Sequence, residues 1–286
     1  MRYSQILKKL RSDLPALVTT IHLSDPCLFE LASLMGFDGI WLDLEHHAHS
    51  LETAQNLMRA TRVGHSDILA RPAKGEFMRL GRLLEAGAQG IMYPRCDDAA
   101  EAAEVVKWAK FPPLGKRGCD GGNPDMPYCS MPLASYVKQA NEETFLVVQL
   151  EEQHAVDNAE EIAAVEGVDV IFLGPADFSS LSGFAGQMDH PRLAEATKHI
   201  AEAAKRAGKH WGRPVASAKE AQTYFEMGAR FFAHHADILL VKQGWEQIQR
   251  EFLAEGFSFE NQLVPPSAPM RPHTRHHAAV SQRVPV

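Results

Sequence analysis

Four stretches decide the fold: GFDGIWLD (36–43), GAQGIMYP (87–94), GVDVIFLGP (167–175) and GARFFAHH (228–235). In each, a glycine opens a short apolar run with little polar alternation, the pattern of a parallel strand buried on both faces. Three of these glycines follow helix-like stretches, LGRLLEAG, AEEIAAVEG and AQTYFEMG. A glycine there is a plausible C-cap, because it tolerates the left-handed backbone that ends a helix. Between the four lie four more strand candidates: ALVTTIHL (16–23), DILARP (67–72), FLVVQLE (145–151) and KHWGRPV (209–215). Helical patterns such as AAEAAEVVKWAK and HPRLAEATKHIAEAAKRAG separate them. Eight strands alternating with helices predict a single α/β domain, a closed (β/α)8 TIM barrel. An open doubly wound sheet is disfavoured, since no G-x-G-x-x-G or G-x-x-x-x-G-K-[ST] follows a strand.

The 286 residues suit one such barrel, for which about 250 is common. The start, MRYSQILKKLRSD, reads as a short amphipathic helix and lacks the apolar core of a signal peptide. The barrel is expected over 1–256, and a Pro-, His- and Arg-rich tail, expected to be disordered, over 257–286. Residues 111–144 read as a Gly- and Pro-rich insertion. A loop of that length is usually functional or involved in assembly. The formal net charge of −7 gives no broad surface for nucleic acid or an anionic membrane. No apolar run nears the roughly 18 residues of a membrane span. The four cysteines form no C-x-x-C pair, so a zinc or dithiol centre is a poor reading and the cytoplasm is the expected location.

Chemistry in such barrels sits at the C-terminal ends of the strands. Strand 2 ends there in Asp43, Glu45 and His46, and strand 3 in Arg71. Strand 5 ends in Gln149 and Glu151, strand 6 in Gly174-Pro175-Ala176-Asp177, strand 7 carries Arg213, and strand 8 ends near His234, His235 and Asp237. Charges ending apolar strands are costly unless paired or metal-bound, so their convergence favours a site. Singly, each has a plainer reading: Asp177 as an N-cap, Glu151 solvated at a helix start, Arg71 paired with Glu45. His47 and His49 read as exposed loop residues.

The segments GFDGIWLDLEHH, LARP, LLEAGAQGIMYP, FPPLGKRG, LVVQLE, VEGVDVIFLGPADFS and MGARFFA resemble the HpcH/HpaI aldolases, metal-dependent pyruvate aldolases, from about residue 15 to 255. The specificity lies in the combination: D-x-E-H, R-P, Q-x-E and G-P-A-D occur in order. The resemblance implies a barrel assembled as a hexamer or trimer that uses Mg2+, Mn2+ or Co2+. It implies cleavage or formation of 4-hydroxy-2-oxo acids, such as 4-hydroxy-2-oxoheptanedioate or 5-dehydro-4-deoxyglucarate, from a 2-oxo acid and an aldehyde. It further implies Glu151 and Asp177 as metal ligands, His46 as base oriented by Asp43, and Arg71 at the enolate oxygen. Gln149 would lie near the 2-oxo acid, and the amides around Gly174, Pro175 and Ala176 would hold its carboxylate.

The chemistry is consistent with those roles. A pyruvate methyl group is too weak an acid for imidazole unaided, and a divalent cation with an arginine stabilises the enolate. Two carboxylates are an oxygen donor set suited to Mg2+ or Mn2+. A Schiff-base route is disfavoured, since the one strand lysine, Lys209, begins strand 7. Gly212-Arg213-Pro214-Val215 and His234-His235 depart from the family pattern, and Arg213 is expected to face the substrate pocket. Oxaloacetate decarboxylase or synthase chemistry on the same site, or binding of a 2-oxo acid without catalysis, are the alternatives.

Overall fold

The computed structural model describes residues 2–263. Eight parallel strands close into a barrel in chain order: β1 (Ala16–Ile21), β2 (Gly39–Asp43), β3 (Asp67–Arg71), β4 (Gly90–Tyr93), β5 (Phe145–Leu150), β6 (Val170–Leu173), β7 (His210–Pro214) and β8 (Phe231–Ala236). Closure pairs Ala16 of β1 with Phe231 of β8 and Thr20 with Ala236. The helices are α1 (Gln5–Arg11), α2 (Pro26–Leu34), α3 (Leu51–Ala60), α4 (Phe77–Ala86), α5 (Ala99–Ala109), α6 (Leu133–Glu143), α7 (Gln153–Asp157), α8 (Ala159–Ala164), α9 (Pro175–Leu181), α10 (Pro191–Ala207), α11 (Ala218–Glu226) and α12 (Asp237–Ala254). The expected (β/α)8 barrel is therefore the fold. The glycines that open the four deciding segments, Gly36, Gly87, Gly167 and Gly228, all have positive φ.

Successive side chains of a strand point to opposite faces, and this sorts each strand into two layers. Trp41, Leu69, Met92, Phe145, Val147, Val170, Phe172 and Phe231 fill the barrel. Their neighbours in sequence, among them Ile40, Leu42, Ile68, Ile91, Leu146, Ile171 and Phe232, pack outward beneath the helices, as does Trp211 of β7. The same alternation puts Asp43, Arg71 and Gln149 inside, at the carboxyl ends of β2, β3 and β5. The register places Asp43 beside Arg71 and Gln149 beside Phe172.

Helix α1 closes the opposite end. Ile6, Leu7 and Leu10, on one face by helical spacing, join the interior cluster. Ser4 caps the helix by accepting from Leu7 N, and its hydroxyl donates to Asp67 Oδ2 at 2.6 Å. Asp67 also accepts from Ile6 N, and Glu143 accepts from Ser4 N at 2.9 Å and from Arg11.

The 111–144 segment is not all loop. It ends in α6, whose Tyr136 and Ala140 pack with Phe111 and Met126 in a small core of their own. A buried Arg117–Asp125 pair at 2.8 Å, joined by the Tyr136 hydroxyl, ties the segment to itself. The chain divides into two compact units, 1–241 and 242–286. In the second, described to residue 263, Trp245, Ile248, Phe252 and Leu253 of α12 are exposed. The expected tail lies mostly outside the described residues. Among those described, no helix is long and apolar enough to cross a membrane.

Candidate active site

The carboxyl end of the barrel carries a closed ring of polar contacts. Asp43, 2% exposed, accepts from Arg71 Nε at 2.9 Å and from Arg71 Nη2 at 2.8 Å, a two-pronged pair. Burial alone pushes the Asp43 carboxyl up, but the Arg71 hydrogen bonds and charge outweigh it and hold Asp43 well below the usual carboxylate range. Arg71 stacks over Trp41 and donates from Nη1 to Gln149 Oε1 at 3.4 Å. Gln149 passes the chain on, donating from Nε2 to Glu151 Oε1 at 3.2 Å. Glu151 Oε2 accepts from the backbone N–H of Arg95 at 2.9 Å. The Arg95 guanidinium meets Glu45 Oε1 at 3.2 Å, and Glu45 Oε2 lies 3.3 Å from Arg71 Nε, closing the ring.

Arg95 was not visible in the sequence as a site residue. Its φ of 46° is left-handed, a conformation a non-glycine residue holds only where its surroundings enforce it. Here it aims a main-chain donor at Glu151. Gly174 serves the same carboxylate from β6, because a Cβ there would lie 2.1 Å from Glu151 Oε1. Asp177 sits in the first turn of α9, half-buried, after Gly174, Pro175 and Ala176.

Glu151 is 2% exposed and makes no ion pair among the described residues. Burial and then the charge of Asp177 push its carboxyl up to about 7. Four carboxylates (Asp43, Glu45, Glu151, Asp177) share this mouth with two guanidiniums (Arg71, Arg95), leaving two negative charges. Glu151 and Asp177, an all-oxygen pair of like charge, fit a hard divalent cation. Among the described residues no cluster of three or more His, Cys, Asp or Glu could hold a metal, so Glu151 and Asp177 would leave positions for water and substrate.

The histidines are arranged otherwise than the sequence suggested. His46 does not reach Asp43; it is exposed, with Nε2 3.6 Å from Glu45 Oε2. His47 is the partner, its Nδ1 3.1 Å from Asp43 Oδ2. Nor are His47 and His49 exposed loop residues: both are half-buried. His22, at the end of β1, stacks on His47 with centroids 4.0 Å apart. Burial, followed by the neighbouring His47, lowers the affinity of His22 and of His49 for a proton. Asp237 caps backbone, accepting from His22 N and Leu23 N at 2.9 and 3.0 Å.

Arg213 does not face the pocket. Trp211, two residues earlier, packs in the outer layer, and strand alternation puts Arg213 on that same face. Its guanidinium lies between α10 and α11, donating to Thr197 Oγ1 at 3.0 Å and stacking over Tyr224 at 4.4 Å. His234 is turned to Val215 O at 2.7 Å.

Known proteins resemble this chain in sequence and fold. Residues 19–242 match the model of the HpcH/HpaI aldolase/citrate lyase family. A hydroxypyruvate/pyruvate aldolase of Pseudomonas aeruginosa is 32% identical over 86% of this chain and 91% of its own length. A 4-hydroxy-2-oxo-heptane-1,7-dioate aldolase of Shigella sonnei is 30% identical over 86% and 94%. The crystal structure of an HpcH/HpaI aldolase from Desulfitobacterium hafniense superposes with a TM-score of 0.82 at 29% identity, covering 89% of this chain and 98% of that one. With its barrel and these relatives, the chain belongs to the HpcH/HpaI aldolase/citrate lyase family and is a carbon–carbon lyase.

Proposed function

We propose that the chain is a divalent-metal-dependent aldolase that cleaves or forms 4-hydroxy-2-oxo acids through a pyruvate enolate. The observation that carries this reading is Glu151, a buried carboxylate beside Asp177 with no ion-pair partner, in the same ring as Arg71. Glu151 and Asp177 would hold Mg2+, Mn2+ or Co2+. When bound, the cation stabilises negative charge developing on the 2-oxo acid oxygens as a Lewis acid.

The protein's own groups supply the rest. Arg71, fixed by Asp43 and pressed on Trp41, has Nη1 directed to Gln149 and presents fixed positive charge where the enolate oxygen forms. Gln149 orients Glu151 and lines the 2-oxo acid site. At the start of α9, where Gly174 N donates to Leu150 O and Pro175 has no N–H, the N–H groups of Ala176 and Asp177 are the ones to hold the substrate carboxylate. Of the two adjacent histidines, His47 is the one Asp43 orients, so it relays the proton of the aldol hydroxyl. His46, which the resemblance implies, lies on Glu45 instead.

Substrates of the 4-hydroxy-2-oxoheptanedioate or 5-dehydro-4-deoxyglucarate type are the first to try, the former being named for a relative. The exposed apolar side chains of α12, Trp245, Ile248 and Phe252, at spacings of three and four residues, support a homo-oligomer of the hexamer or trimer kind. Four free cysteines, three of them exposed, support a reducing, cytoplasmic setting.

The test is exchange of the pyruvate methyl protons in heavy water, followed by NMR with and without Mg2+. Exchange that requires both Mg2+ and Glu151 is expected. A metal-loaded parent that exchanges nothing would sink the pyruvate enolate reading.

A further inference from the structure

We propose that the space between α10 and α11 is a second binding site, outside the barrel, for a short-chain monocarboxylate whose charge Arg213 neutralises. Arg213 is 5% exposed, yet among the described residues it forms no ion pair. Nε donates to Pro214 O and Nη1 to Thr197 Oγ1, both neutral acceptors, the guanidinium stacks on Tyr224, and among the described residues Nη2 has no acceptor. A buried cation without a counter-charge is costly, and a neutral hydroxyl and carbonyl offset only part of that cost. The nearest acidic neighbour on α11, Glu220, accepts instead from Ala216 N. It lies beyond ion-pair reach of Arg213.

A cavity of about 270 Å³ opens in front of the guanidinium. Its polar wall is built for an anion. His190 accepts from Arg192 N at its Nδ1, so the proton of the neutral ring sits on Nε2, a donor. The cavity also meets the first turn of α10, a 17-residue helix whose dipole favours negative charge there. The remaining wall is apolar: Leu193, Ala194, and the methionines Met188 and Met227, which are 48% and 40% exposed. Methionine walls around one cation suit a carboxylate with a short hydrocarbon body better than phosphate. Asp189 at the rim is an opposing charge.

This site does not depend on the reaction proposed for the mouth. The experiment is NMR-detected binding of acetate, butanoate and inorganic phosphate to the full chain, at ionic strength matched with chloride. It is run on the parent, Arg71→Met, Arg213→Met, Arg213→Lys and Asp189→Asn, with thermal unfolding alongside. Saturable butanoate binding, tighter than acetate, is expected in the parent and in Arg71→Met. Arg213→Met is expected to weaken it at least about tenfold and Arg213→Lys less, while Asp189→Asn tightens it severalfold. A purely structural arginine would shift the melting temperature of Arg213→Met without any anion dependence in the parent, and that result overturns the site. Butanoate binding that survives Arg213→Met does the same, and so does phosphate bound as tightly as butanoate.

Discussion

Two carboxylates at opposite ends of the same barrel, Asp67 at the base and Glu151 at the mouth, differ in what surrounds them. Both are buried, and burial raises both, to about 6 for Asp67 and about 7 for Glu151. Asp67 takes two hydrogen bonds on Oδ2, from Ser4 and Ile6, has Oδ1 without a partner among the described residues, and has no second acid beside it as a cause of its shift. Glu151 also takes two, from the amide of Arg95 and from Gln149, but it faces a second acid, Asp177. A raised carboxyl therefore marks burial; function is marked by the like charge left beside it.

The largest effect expected is on exchange. Glu151→Gln should reduce Mg2+-dependent pyruvate exchange by about a thousandfold or more without loss of melting temperature, since it removes a repelling charge. Asp67→Asn should leave exchange within about twofold. Equal losses from the two would erase the distinction. Next, Arg71→Met should lower exchange about a hundredfold. It should also cost about 3 kcal/mol in urea unfolding, because Asp43 is left as a buried, unpaired charge.

His47→Ala should slow aldol cleavage about a hundredfold and His46→Ala less than about tenfold, read from steady-state rates. The reverse order would move the relay to the histidine on Glu45. The last effect, on stability alone, is at the base. The Asp67 pKa lies near 6 when folded and 3.8 when unfolded, so between those values the native state keeps a proton the unfolded chain has lost. Its contribution is thus fully present below about pH 4 and fades as pH rises through 6, by up to about 3 kcal/mol. Denaturant midpoints across that window should flatten in Asp67→Asn.

Much of this was legible. The glycine-led apolar runs became β2, β4, β6 and β8, and DILARP became β3 with Arg71 at its end. Polar and charged groups are so costly at the end of a buried strand that Asp43, Arg71, Gln149 and Glu151 stood out as candidates from residue type. Side-chain direction was harder. H-W-G-R-P alternates, and Trp211 already claimed the outer layer for Arg213, but a charged residue at a strand end invites the opposite reading. The steric reason for Gly212 lies in three dimensions: a Cβ there would fall 1.9 Å from Phe231 O. The choice between His46 and His47 depends on how the loop after β2 turns, and the left-handed Arg95 has no local signature at all. Helix α6 did leave a trace, Leu133, Tyr136, Val137 and Ala140 at helical spacing, overshadowed by the Gly- and Pro-rich stretch before it.

The helical plug carries a consequence for synthesis. Ser4 is translated before both of its anchors, Asp67 and Glu143, which lie 63 and 139 residues further on. The N-terminal helix emerges from the ribosome long before its seat exists. Its apolar face therefore has no complete seat until β5 has been translated, which places the sealing of the barrel floor late in folding.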